Sequence, residues 1–98
     1  MAIGTKNRTE IITAIEKRKD FKIASMSGSP VTDVRTIPTG KMNATEINWM
    51  RLDKPTYVVY SYGTPIAWSN ATSWHVSDEK YGPTTSQHQT IARTAFGL

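Results

Sequence analysis

The sequence predicts an α+β fold: a small antiparallel β-sheet with an N-terminal and a C-terminal helix. Three observations lead there. A stripe of isoleucines at helical spacing lies near the start, and a segment with capping residues ends in Phe96-Gly97. Between Thr56 and Ser77, short runs rich in β-branched and aromatic residues are separated by turn residues. The 98 residues read as a single domain, 1–98, large enough to bury a core without disulfides or metal.

The first helix is expected near residues 8–19. Asn7 and Glu10 have capping-box spacing, Ile11, Ile12 and Ile15 recur at i, i+1 and i+4, and Lys17, Arg18 and Lys19 suit the negative end of the macrodipole. From Phe21 to Thr39 the chain reads as two short strands around a turn. Phe21, Ile23 and Ser25 alternate with Lys22, Ala24 and Met26, Ser27-Gly28-Ser29-Pro30 is a breaker, and Val34 to Ile37 is a weaker strand. Asn43 and Glu46 form a second box-like cap. It opens Ala44–Leu52, which reads as two helical turns with Ile47, Met50 and Arg51 inward; an extended conformation is the alternative.

The sheet is expected to centre on a three-stranded meander, extended by the N-terminal strands. Thr56 to Tyr62 is the first strand, Pro65 to Trp68 runs back, and Trp74 to Val76 returns. Turn centres at Gly63 and Ala71 put Val58, Trp68 and Trp74 in one cross-strand row and Tyr60, Ile66 and Val76 in the next, all on one buried face. His75 then points to the outer face as an edge histidine. Trp49, Tyr57 and Tyr62 fall off that inner face or outside the meander and are the aromatics left for exposure. The last helix is expected from Thr84 or Thr85 to Phe96, capped by Thr84 with Gln87, with Gly97 as its C′ residue and Ile91, Ala92, Ala95 and His88 on its apolar stripe.

Composition excludes several classes. With no cysteine, disulfide frameworks, thiolate catalysis and Cys-containing zinc sites are out. Residues 1–7 have no apolar h-region, so a cytoplasmic location is expected. The uncharged stretch from Pro55 to Ser77 is too rich in Ser, Thr, Tyr, Asn and Pro to span a membrane. Net charge is +4, and every acidic residue lies at or before Glu79, leaving Lys80, His88 and Arg93 in a tail without carboxylates.

The run Tyr57-Val-Val-Tyr-Ser-Tyr-Gly-Thr-Pro-Ile-Ala-Trp68, then Trp74, Tyr81 and Thr84-Thr-Ser-Gln-His-Gln89, resembles a family of short proteins carried mostly by bacteriophages, prophages and other mobile elements. The match spans about Thr56 to Gln89. Two departures are visible: Gln87 stands where the family pattern has a basic residue, and the turn after Trp68 lacks Asp-Gly. The resemblance implies a genomic setting, a bacterial host cell, and no assigned activity.

No catalytic machinery is legible. His75 and His88 are the only histidines, Ser86 and His88 two apart on a helix do not face each other, and no metal, phosphate-loop or dinucleotide motif occurs. No enzyme activity, metal or cofactor is therefore expected. The candidate partner-binding residues are Thr85, Ser86, Gln87, His88, Gln89 and Arg93, which join hydroxyls, a helix N-terminus and side chains able to meet polar groups. The expected function is stoichiometric binding of a host protein. Nucleic acid held by the C-terminal helix, with Lys80 and Arg93 on phosphate, is the alternative, and an edge strand could recruit a second copy as a homodimer.

Overall fold

The structure, a computed structural model, describes residues 5–23, 25–77, 79 and 81–97; Ala24 and Lys80 lie outside the described residues. Three helices and five strands alternate as α1 (Thr5–Glu16), β1 (Phe21–Ile23), β2 (Met26–Pro30), α2 (Ala44–Asp53), β3 (Tyr57–Ser61), β4 (Thr64–Ser69), β5 (Trp74–Val76) and α3 (Pro83–Ala95). The sheet is antiparallel throughout, in the order β1-β2-β3-β4-β5. The α+β fold with terminal helices is as expected.

The sheet is covered on both faces, so every residue of β3 and β4 is buried. On one face, Ile11 and Ile15 of α1 and Ile91, Ala92 and Ala95 of α3 pack on Met26, Tyr57, Val59, Ile66, Ala67 and Val76. On the other, Met50 of α2 and the loop residues Ile37 and Met42 pack on Val58, Tyr60 and Trp68. The near-continuous apolar run of β3 is the sequence form of a strand buried on both sides. Expecting one inner face missed this.

α1 begins at Thr5 and stops at Glu16, so Asn7 lies inside it and Lys17 to Lys19 lie past it. Lys19 N–H donates to Ala14 O at 2.9 Å and Arg18 N–H to Ile15 O at 3.1 Å, the paired bonds of a Schellman motif. The left-handed C′ residue is Arg18 (φ +55°) rather than glycine. Its guanidinium sits 5.0 Å from the Phe96 ring centroid and donates to Ile15 O at 2.6 Å, which fixes the conformation.

Ser27-Gly28-Ser29-Pro30 is not a turn but part of β2, in register with Tyr60, Val59, Val58 and Tyr57. Gly28 serves close approach: a Cβ there would meet Phe21 Cε1 and Tyr57 Oη, each at 2.5 Å. The Tyr57 hydroxyl crosses this gap to donate to Lys19 O at 2.7 Å. Val34–Thr36 is a 3₁₀ turn rather than a strand, because Asp33 accepts from Arg35 N–H at 2.9 Å and holds the backbone coiled. Ala44–Asp53 is helical, with Asn43 Oδ1 accepting from Glu46 N–H at 2.8 Å as its N-cap.

The meander register differs from expectation at two places. Val58 does face Trp68, but a bulge between Val59 and Tyr60 puts Tyr60 opposite Pro65 and sends Ile66 to the α1/α3 face. At the next hairpin, Asn70 Oδ1 accepts from Thr72 N–H at 2.9 Å and Ser73 N–H at 2.8 Å. This Asx geometry makes a four-residue loop centred between Ala71 and Thr72 rather than on Ala71. Half a residue at the centre is one residue of register, so Trp74 pairs with Ser69 and His75 with Trp68. Trp74 therefore lies on the opposite face from Trp68 and is 38% exposed. His75 is not on an outer face: its ring lies 4.8 Å from Trp68 and 4.1 Å from Trp49, under α2.

Candidate functional site

The β3–β4 hairpin closes through two residues, Tyr62 and Gly63, between the paired Ser61 and Thr64. Both have positive φ, +51° and +79°, the mark of a type I′ turn. Such turns favour Asn-Gly, because Asn tolerates the left-handed region and most side chains do not. Here an aromatic stands in the Asn position. Its backbone is tied down, Tyr62 N–H donating to Ser25 O at 2.9 Å, while the residue is 61% exposed. Its ring stacks over His88, 6.1 Å between centroids, so one side of it packs on the protein while the rest faces solvent.

A cleft of about 330 Å³ opens beside Tyr62, lined by Lys41, Ser61, Tyr62, Thr64, Tyr81, Gly82, Thr84 and Thr85. The loop before α2 reaches it because Gly40 lies against the hairpin tip. A Cβ on Gly40 would meet Thr64 Cα at 2.8 Å, and Lys41 N–H donates to Thr64 Oγ1 at 3.0 Å. The opposite wall is the start of α3. Gly82 is its N-cap, Pro83 follows at N1, and no side chain caps it, so Thr84 does not play the capping role its spacing suggested. Burial pushes the Tyr81 hydroxyl pKa up, and the Glu46 and Glu79 carboxylates add to the effect. A second hollow of about 310 Å³ on the other side of the hairpin is lined by Lys22, Ser25, Met26, Ser27, Tyr62 and Gly63. Tyr62 is thus the ridge between two recesses, with a lysine in each.

Under the cleft, Ser61 Oγ lies 2.7 Å from His88 Nδ1 and 3.1 Å from Thr85 Oγ1. Ser61 is 2% exposed and His88 is fully buried. Burial pushes the His88 pKa below its ordinary 6.5, which keeps the ring neutral. His88 Nε2 meets no hydrogen-bond partner among the described residues, so no carboxylate orients the ring as in a hydrolytic triad. The serine–histidine pair ties α3 to β3.

The six candidate residues therefore separate. Thr85 and His88 face inward to Ser61, and Gln89 is buried with Nε2 donating to Glu79 O at 2.9 Å. Arg93 is half-buried, with one guanidinium nitrogen 3.4 Å from Ser77 O. Ser86 is exposed and Gln87 half-buried. Of the six, only Thr85 lines the cleft. Lys41, Thr64 and Tyr81 were missed as site residues. Nothing local in the sequence brings Lys41 to the hairpin, although Tyr62 in front of Gly63 was a readable anomaly. Among the described residues, no group of three His, Asp or Glu side chains converges as a metal site would require.

A family of unknown function (DUF8033) matches residues 3–93, and the chain belongs to that family. No curated protein and no solved structure matches it.

Proposed function

We infer that the chain is a binding protein without catalytic activity. It engages a host protein stoichiometrically through the surface around Tyr62, as an accessory factor of phage or mobile-element type working in the bacterial cytoplasm. The observation that carries this is Tyr62 itself, held in the left-handed region and 61% exposed between two recesses. Tyrosine is among the side chains that dominate protein interfaces, because it offers large area and a polar tip at low entropic cost. Lys41 and Lys22 on either side supply charge that would select an acidic or carbonyl-rich partner surface. The burial of His88, with no carboxylate on its Nε2 among the described residues, supports a non-enzymatic role.

The test is capture from host lysate on immobilised wild type and Tyr62→Ala, with and without nuclease. A protein retained by wild type after nuclease and lost by the variant supports the reading. Retention of nucleic acid alone, lost on nuclease treatment, would replace it with nucleic-acid binding.

A further inference from the structure

The two edges of the sheet are built differently. β1, at one edge, carries an exposed lysine, Lys22, at its centre. A charge there opposes strand addition. β5, at the other edge, reads Trp74-His75-Val76 and carries no acidic or strongly basic side chain.

The hydrogen bonds around β5 fix which way its backbone faces. Asn70 N–H donates to Ser73 O at 2.8 Å, Ser77 N–H donates to Ile66 O at 2.8 Å, and His75 is in register with Trp68. Peptide groups alternate in direction along a strand, so residues 73, 75 and 77 face β4, and Trp74 and Val76 turn N–H and C=O outward. No backbone hydrogen bond among the described residues engages these four groups. An indole brackets the strand on each face. Trp74 lies parallel to the Phe96 ring at 5.7 Å, and Trp49, 47% exposed, lies against His75.

We propose that this edge is a homodimer interface, β5 pairing antiparallel with β5 of a second copy about a two-fold axis at His75. The register is self-complementary. Trp74 lies opposite the partner subunit's Val76, and Val76 opposite the partner subunit's Trp74, so all four outward groups of each copy are paired. Moving the axis to Trp74 would leave Val76 unpaired. His75 faces the partner's His75 as a non-hydrogen-bonded pair with Cα atoms about 4.5 Å apart. A charge-free, self-matching edge favours a second copy over a charged peptide. The two indoles leave about 200 Å² of exposed surface per copy to be covered. That is well below the roughly 800 Å² per partner of a standard interface, so the dimer is weak and forms only at high protein concentration. β5 begins beside Ser69, at the end of β4 away from Tyr62, so this interface is separate from the surface proposed for the host partner.

The experiment is sedimentation velocity on the full chain across a concentration series. Wild type should pass from 10.9 kDa to twice that mass, and Trp74→Lys should stay at the monomer mass. A second measurement does not depend on a loss. The chain has no cysteine, and the expected His75 separation lies within disulfide range. His75→Cys should cross-link to a covalent dimer on mild oxidation, and Thr72→Cys, in the exposed hairpin loop, should remain largely monomeric. The proposal is overturned if wild type is monomeric at the highest concentration, if Trp74→Lys dimerises as well as wild type, or if the two cysteine variants cross-link equally. Trp74→Lys should retain whatever partner Tyr62 captures, which separates failure of the dimer from failure of the binding role.

Discussion

Replacing Gly28 by alanine adds one methyl where two side chains already close on the sheet backbone. The new Cβ would lie 2.5 Å from both Phe21 Cε1 and Tyr57 Oη, about an ångström inside van der Waals contact. Phe21 sits on an edge strand and can give way. Tyr57 cannot move without losing its 2.7 Å bond to Lys19 O. Overpacking costs about 1–3 kcal/mol and the lost hydrogen bond about 1, set against roughly 0.5–1 recovered by removing glycine from a strand. The expected net loss is about 2 kcal/mol, or roughly 10 °C in Tm for a domain of this size. Thermal melting by circular dichroism reads this directly. Tyr57→Phe alone should cost about 1 kcal/mol. In the Gly28→Ala background it should cost nothing or restore stability, because it removes the oxygen the methyl meets. An unchanged or higher Tm for Gly28→Ala, or simple additivity in the double mutant, would refute the close-approach account.

Three further outcomes follow from the same geometry. Trp68→Ala should cost about 3–5 kcal/mol in urea titrations, because it empties a buried site and strips Asp53 of a 2.8 Å bond from Nε1. Trp74→Ala should cost no more than about 2, since it gives up a partly exposed stack on Phe96; equal losses would restore the symmetric expectation. Asn43→Ala should cost about 1 kcal/mol as a lost N-cap, and Thr84→Ala should show no capping loss. His88 has a folded-state pKa below the ordinary 6.5, so its neutral form stabilises the fold fully above that pH. As pH falls from about 6.5 through the folded pKa, the unfolded chain takes up the proton first and stability declines. Tm should therefore be lower at pH 5.5 than at 7.5, and a His88→Gln variant should show a flatter profile over that interval.

The helices, the β3–β4 pair and the antiparallel order were legible because each has a local signal: apolar residues at helical spacing, the Asn43 cap of α2, and β-branched and aromatic runs broken at Gly63. What failed depended on distant contacts. Gly28 reads as a breaker until Tyr57 and Lys19, far apart in sequence, are seen to meet across it. The bulge at Tyr60 and the Asx turn at Asn70 each move the register by one, and neither has a spacing that composition reveals. Of the candidate segment at the start of α3, Thr85, His88 and Gln89 proved to be buried hydrogen-bonding residues. Polar residues on the sheet-facing side of a helix read the same in sequence whether they meet a partner or the protein's own core. Lys41 reaches the cleft only because Gly40 lets its loop lie on the hairpin.

The binding role of Tyr62 is tested most directly by Tyr62→Asn. Asparagine is the residue this turn favours, so the substitution removes the ring and relieves backbone strain of about 1 kcal/mol together. Melting and a titration against the captured partner are run on the same samples. The expected result is a Tm equal to wild type or several degrees higher, with affinity at least tenfold weaker. A variant that is as stable as wild type or more so and binds with full affinity would contradict the account.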